Sequence, residues 1–233
     1  MITQVQRTIA VIGGTGAEGK GLALRFAKAG ARVLIGSRDR EKAQETARRV
    51  AEAAGGTLVG GRSNTEAASE AEIVILAVPL AAQVGILKSI RDSFRPGAIL
   101  VDTTVPLEIA IGGRVSRTLT LWDGSAAQQA ARLAPPGIQV VAAFHSLSAA
   151  ALADLDRPVD CDVLICGDSA EAKTIVRELA ETIPGVRAID SGPLDSARLL
   201  ENAAALLISL NLRYRVKHSG LRITGIDPHG APR

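Results

Sequence analysis

The sequence predicts an α/β fold, a doubly wound parallel sheet with a smaller C-terminal α/β lobe, and three observations predict it. Short runs such as TIAVI and EIVILAV are apolar almost without a break, as strands covered on both faces are. They alternate with segments whose apolar residues recur at helical spacing, the pattern of strands joined by crossover helices. The chain has 233 residues, 47% hydrophobic and 22% charged, enough for one core and a smaller lobe.

Thr8–Ile12 is the first strand, and it feeds a helix over residues 16–29 with Leu22 and Phe26 on its inner face and Gly30 as its stop. Residues 32–36 form the second strand. Asp39 then caps a helix running to Ala54 and ended by Gly55-Gly56. A weak strand over 57–60 precedes a short helix opened by Ser63 or Asn64, and residues 72–78 are the clearest buried strand. After Pro79 a helix runs to about Phe94, and a Pro96-Gly97 turn leads to a strand over 98–102. An irregular stretch through Trp122, a helix over 125–133 and a strand over 139–144 complete a six-stranded doubly wound sheet.

Beyond His145 the pattern gives a short helix, a strand over 162–166, a helix over 170–182, a strand over 186–190 and a long helix from Asp195 to about Lys217. In that helix Leu199, Leu200, Leu206, Leu207 and Leu210 make two faces apolar, which suits packing in a lobe or across the boundary of a homodimer. Residues 1–146 then form a nucleotide-binding domain, 147–224 the smaller lobe and 225–233 a disordered tail.

Composition excludes several classes of function. Net charge is +3 and the 27 Lys and Arg are dispersed, so no nucleic-acid surface is expected, and one Trp, one Tyr and three Phe leave little to stack on bases. The start MITQVQRTIAVIGG has no signal-peptide pattern, and no apolar run reaches the ~18 residues of a membrane span. A cytoplasmic protein without a membrane partner is expected. Cys161 and Cys166 flank an extended run about 16 Å long, too far apart for a disulfide. His218 and His229 lack a partner at metal-ligand spacing, so no metal is expected.

The strongest chemical signal is Gly14-Thr15-Gly16-Ala17-Glu18-Gly19, a G-x-G-x-x-G run between a strand and an amphipathic helix. Here the glycines have separate jobs: Gly14 for a tight turn, Gly16 for close approach of a pyrophosphate, Gly19 for packing of helix on strand. The helix N-terminus adds free N–H groups and roughly half a positive charge. At the end of the second strand, where an NAD site places an acid, stand Ser37 and Arg38, with Lys42 one turn on. An Arg fork, a hydroxyl and an ammonium grip a 2′-phosphate that a carboxylate would repel, so NADP(H) is the expected cofactor. Asp39 is better placed as the cap. Read as ordinary solvated charges, Arg38 and Lys42 would carry no such meaning.

Three segments leave the carboxyl ends of later strands, where a second ligand meets the nicotinamide: 78–80, 103–106 and 144–148. With IGGTGAEGKGLALRFAKAG, IGSRDREKA, ILAVP, AFHS, DVLICGD and SGPLDSARLLE, the chain resembles the NADPH:coenzyme F420 oxidoreductases over residues 9–221. The resemblance implies a small-molecule redox reaction, hydride transfer between NADP(H) and an 8-hydroxy-5-deazaflavin, with coenzyme F420 as co-substrate. It implies that Thr15, Gly16, Ala17 and Glu18 line the pyrophosphate, that Ser37, Arg38 and Lys42 hold the 2′-phosphate, and that Val78 and Pro79 neighbour the nicotinamide. His145, Ser146 and Leu147 would border the deazaflavin. No catalytic acid, base or nucleophile is implied, because the two rings carry the chemistry. Two positions depart from the family pattern: Leu80 stands where a Trp is usual, and HSLS where a Pro follows the His turn. They leave open another acceptor, such as a flavin, an imine or ferric iron, and an NADP(H)-sensing protein without turnover.

Overall fold

The computed structural model describes residues 7–56 and 58–227. Its strands are β1 (Thr8–Ile12), β2 (Arg32–Ser37), β3 (Val59–Ser63), β4 (Ile73–Leu76), β5 (Ile99–Asp102), β6 (Gln139–Ala142), β7 (Cys161–Gly167) and β8 (Val186–Asp190). The helices are α1 (Ala17–Lys28), α2 (Arg40–Ala54), α3 (Asn64–Glu70), α4 (Leu80–Ile90), α5 (Ala126–Leu133), α6 (Ala149–Ala153), α7 (Ala170–Glu181) and α8 (Ala197–Tyr214).

The strands form one sheet in the order β3-β2-β1-β4-β5-β6-β7-β8. All neighbours are parallel except β6 and β7, which meet through Val141 with Gly167 and Ala142 with Cys166. Unbroken apolar strands bury both faces: Ile9 and Val11 pack towards α1, α2 and α7, and Ala10 and Ile12 towards α3, α4, α5 and the start of α8. Leu22 and Phe26 sit fully buried on the inner face of α1, as their spacing requires.

Local chemistry sets the element ends. Asp39 accepts the Lys42 N–H and opens α2, and Gly55, at φ +96°, closes it. Ser63 and Glu66 form a reciprocal capping box that opens α3.

The structure corrects four sequence expectations. The sheet has eight strands, not six, because β7 and β8, from the segment read as a smaller lobe, extend it past β6. Strand β3 runs later than 57–60, in register with β2 from Val33 opposite Val59 to Ser37 opposite Ser63; Thr57 lies outside the described residues. Strand β4 ends at Leu76, before the expected 78. Strand β6 stops at Ala142, before the expected 144, and Phe144 takes a left-handed backbone, φ 71°. A bulky residue there stores strain of order 1 kcal/mol or more, and tertiary packing holds it: the ring is fully buried edge-on to Phe26 at 5.8 Å. Both cysteines are free and buried. The expected tail overlaps residues 228–233, which also lie outside the described residues, as does His229.

Two buried polar ties fasten the C-terminal half. Arg25 of α1 donates to the carbonyls of Leu152 (2.9 Å), Ala151 (2.8 Å), Arg157 (3.0 Å) and Asp154, so its guanidinium closes the end of α6. Asp162 of β7 accepts a forked pair from Arg187 (2.8 and 2.6 Å), a bond from Arg222 (2.7 Å) and the Ile223 N–H (2.7 Å). Burial alone would raise its pKa, but these donors outweigh it and hold the carboxyl at about 2. A depressed pKa gives stability that is present above the unfolded value near 3.8 and lost as pH falls through 2. Asp162→Asn is therefore expected to lose about 2 kcal/mol at pH 7 and to flatten the acid limb between pH 4 and 2 in urea-unfolding midpoints.

Candidate active site

Four strand ends and one helix enclose a cleft of about 730 Å³ at the carboxyl edge of the sheet. Strand β1 supplies the turn into α1. Gly13 there is at φ +81°, and its N–H donates to Gly36 O at 3.2 Å, which ties the turn to the end of β2. The tight-turn role expected of Gly14 belongs to Gly13, since Gly14 has no positive φ. Gly14 is instead a packing glycine: a Cβ on it would lie 2.8 Å from Val11 O. Gly19 does what its place in the motif requires, for a Cβ would lie 2.7 Å from Gly13 O and part the helix from the turn. Helix α1 opens on Gly16 without a side-chain cap, so its first N–H groups face the cleft unclaimed. Anionic oxygens fit such a helix start.

The opposite wall comes from Val78 and Pro79 after β4, Thr103 after β5, and His145, Ser146 and Leu147 after β6. Ala204, Leu207 and Ile208 of α8 close the side, and Ile109 lies at the rim. The Ser146 hydroxyl donates to Asp162 O at 2.7 Å, and Ser148 both caps α6 and donates to Lys217 O. The loop after β6 is thus fixed at both ends. His145 is buried, and neither ring nitrogen has a well-formed hydrogen bond among the described residues. Burial pushes its pKa down to about 4 against a weak approach of the Thr104 backbone, so the ring is neutral at pH 7. An apolar cleft with a neutral imidazole on its wall fits planar heteroaromatic rings.

Behind that wall lies a carboxyl cluster. Asp102, at the end of β5, is fully buried and accepts from Thr104 Oγ1 (2.8 Å) and Gln83 Nε2 (3.1 and 3.2 Å). Burial pushes it up to about 7 despite those bonds. Glu201 of α8 accepts the Ala127 N–H at 3.2 Å; burial outweighs that bond, Asp102 adds to it, and the pKa reaches about 8. Glu18, half-buried on the cleft side of α1, is pushed up to about 8 by burial and then by the Asp102 charge.

Comparison with known proteins matches residues 8–106 to the family model described as NADP oxidoreductase, coenzyme F420-dependent. The F420-dependent NADP reductase of Methanothermobacter thermautotrophicus is 51% identical over 229 residues, 97% of this chain and 98% of that protein. That of Methanocaldococcus jannaschii is 42% identical over 223 residues, 94% and 99% of the two chains. The chain belongs to the F420-dependent NADP reductase family. A crystal structure from Arthrobacter sp. FB24, provisionally named a reductase of this family, superposes with a TM-score of 0.79 at 26% identity, covering 94% of this chain and 100% of that one.

In this member of the F420-dependent NADP reductases, the residues singled out in the sequence fall into two groups. Gly16, Ala17, Glu18, Val78, Pro79, His145, Ser146 and Leu147 share the cleft. Gly14, Thr15, Ser37, Arg38 and Lys42 lie outside it, around the turn and the start of α2, where β2 ends beside Gly13. Arg38 and Lys42 are exposed, and no carboxylate among the described residues pairs with either side chain, whereas neighbouring Arg40 is bound to Glu66 at 3.1 Å. Arg38→Ala is expected to weaken NADPH binding about 10- to 100-fold and leave NADH binding nearly unchanged, one charge-assisted contact being worth ~1.5–3 kcal/mol. Equal losses in a calorimetric titration of the two nucleotides would contradict it.

Sequence reasoning missed the α8 wall, Asn211 and Ser219. The two-faced apolar pattern of that helix was the available signal, since only one face could pack on the sheet and its helices. No helix among the described residues is long and apolar enough to cross a membrane.

Proposed function

We propose that the protein transfers hydride between NADP(H) and an 8-hydroxy-5-deazaflavin, coenzyme F420. One observation carries the reading: a single cleft in which the uncapped start of α1 and Val78-Pro79 face His145, Ser146 and Leu147. When bound, the dihydronicotinamide supplies two electrons and one hydrogen nucleus as hydride. The chain supplies position. On this reading Gly14, Thr15, Gly16, Ala17 and Glu18 line the pyrophosphate at the N–H groups of α1, and Ser37, Arg38 and Lys42 take the 2′-phosphate. Val78 and Pro79 support the nicotinamide face, and His145, Ser146 and Leu147 border the acceptor ring. Reacting carbons held ~3–3.5 Å apart in a dry apolar cleft need no nucleophile on the protein.

Residues 1–146 are the nucleotide-binding part in this proposal, with His145 and Ser146 at its edge, and 147–224 add Leu147 and α8 to the acceptor's wall. Exposed Leu199, Leu206, Leu212 and Tyr214 along α8 support a homodimer, and the dispersed positive charge argues against a nucleic-acid partner. A cytoplasmic location completes the proposal.

Purified protein is mixed with NADPH and oxidised F420, FMN or FAD in separate cuvettes, and absorbance is followed with and without enzyme. Enzyme-dependent reduction of F420 is the expected result. Reduction of a flavin alone would move the assignment to another acceptor, and nucleotide binding without any turnover would overturn it.

A further inference from the structure

Hydride accounts for only half of the stoichiometry. Reduction of an 8-hydroxy-5-deazaflavin adds two hydrogens to the ring system and hydride brings one, so a proton must arrive from elsewhere. We propose that Glu18 is a catalytic residue, the acid that gives this proton to a ring nitrogen of the acceptor and takes it back in the reverse direction. The inference rests on the reading above and deepens it.

Placement is the first argument. Glu18 lies in the first turn of α1 and lines the same cleft as Val78, Pro79, Thr103 and His145. Its carboxyl has no hydrogen-bond or ion-pair partner among the described residues, so a bound ring is free to meet it. Competing donors are few. The other titratable side chains on the cleft wall are His145 and Lys217. His145 is neutral at pH 7, with both nitrogens buried. Lys217 is exposed, on the segment that leaves α8.

Charge is the second argument. A carboxylate at the start of α1 would oppose the diphosphate that this helix end attracts. Burial and the charge of Asp102 from β5 instead hold Glu18 up to about 8, and Glu201 adds a further carboxyl beside Asp102, with no cation in the cluster among the described residues. Added phosphate charge raises the proton affinity of Glu18 further. It therefore meets NADPH as a neutral acid.

The step balances. The C–H bond of the dihydronicotinamide breaks and a C–H bond forms on the acceptor, which takes the electron pair. The O–H bond of Glu18 breaks and an N–H bond forms on the acceptor. The Glu18 carboxylate then takes a proton from water at the mouth of the cleft, closing the sum as NADPH, acceptor and one proton giving NADP⁺ and reduced acceptor.

Glu18→Gln keeps the shape and removes the proton, so it is compared with wild type in three measurements. NADPH affinity, from nucleotide fluorescence, sets the saturating concentration at which the two proteins are compared. Proton uptake on NADPH binding at pH 8.5, read from calorimetry in buffers of different ionisation heat, is expected in wild type and lost in the variant, whatever the acceptor. Single-turnover reduction of F420 is expected to slow about 10²- to 10⁴-fold, the usual range for a positioned acid, with loss of the solvent deuterium effect and of the alkaline limb near pH 8. A variant that turns over within threefold of wild type with the same pH profile would overturn the proposal, as would equal proton uptake in the two proteins. Failure of wild type to reduce F420 while the uptake difference persists would sink the choice of acceptor and leave Glu18 as the group that gains a proton beside the nucleotide.

Discussion

Gly13→Ala is expected to cost about 3–5 kcal/mol of stability and at least 100-fold in NADPH affinity. Two terms add. At φ +81° any L side chain carries a backbone penalty of about 1–2 kcal/mol. The new Cβ would also lie 2.2 Å from Ala77 O and 2.7 Å from Val78 Cγ1, and the first of these atoms is backbone. Relief would require the end of β4 to move away from β1, although Ala77 N–H donates to Ile12 O at 2.9 Å between them. Forced overlap of this kind costs a further 1–3 kcal/mol, against a total stability of roughly 5–15 kcal/mol. Function suffers by the same movement, because Ala77 and Val78 line the cleft opposite the start of α1. Gly30→Ala is the matched control: φ is +89° but a Cβ meets nothing within 4 Å, so only the backbone penalty of about 1–2 kcal/mol should appear. Urea unfolding and NADPH titration of both variants check the argument. A Gly13 variant no worse than the Gly30 variant would refute it.

That pair shows how far the sequence can be read. A run of glycines between a strand and a helix points to a phosphate-binding turn, because the turn, the close approach of a phosphate and the packing of helix on strand each use one. Which glycine takes the left-handed backbone depends on how β4 approaches, and β4 is more than fifty residues away in the chain, so the role expected of Gly14 fell to Gly13. Caps were legible for a similar reason: Asp39 and Ser63 act on N–H groups within three residues of themselves. The junction of β6 and β7 was not, since it rests on two residue pairs and nothing in QVVA or CDVLICG names the other as partner. Phe144 was illegible too, because its backbone is imposed by the fit of its ring against Phe26 and local propensity argues the other way.

The carboxyl cluster was the hardest part of the site to anticipate. Nothing in ILVD marks its closing acid as buried, and nothing in the long last helix marks Glu201 as facing it. Only the packing of α4, α5 and α8 around β5 puts Gln83, Asp102 and the Ala126–Ala127 backbone within reach of one another. The same holds for the cleft itself: the α1 end follows from a local motif, and the wall facing it is assembled from residues scattered over half the chain.

Asp102→Asn is expected to stabilise the protein at pH 8, by about 2–4 kcal/mol, and to leave it nearly unchanged at pH 4. In the fold the acid is held at about 7, whereas in the unfolded chain it titrates near 3.8. Below pH 4 both states carry the proton and no difference arises. Between pH 4 and 7 the unfolded chain releases the proton and the fold keeps it, so stability falls by up to ~1.4 kcal/mol per pH unit. Above pH 7 the fold ionises as well and the loss levels off. An amide is neutral throughout and escapes this slope. Its oxygen can accept from Thr104 Oγ1 as the acid does, and its NH₂ can donate to Gln83 Oε1, a buried acceptor without a partner among the described residues, once that amide turns and gives up its Nε2 bond to Ala126 O. Urea midpoints from pH 4 to 8.5 should therefore diverge between the two proteins as pH rises, with a residual slope in the variant from Glu201 and Glu18. A variant weaker than wild type by the same amount at every pH would mean that Asp102 is an ordinary ionised ligand of its donors. An acid that weakens the fold in this way still acts on the cleft: its charge is one of the two causes that keep Glu18 protonated. The alkaline limb of F420 reduction should accordingly move to lower pH in Asp102→Asn, in step with the gain in stability.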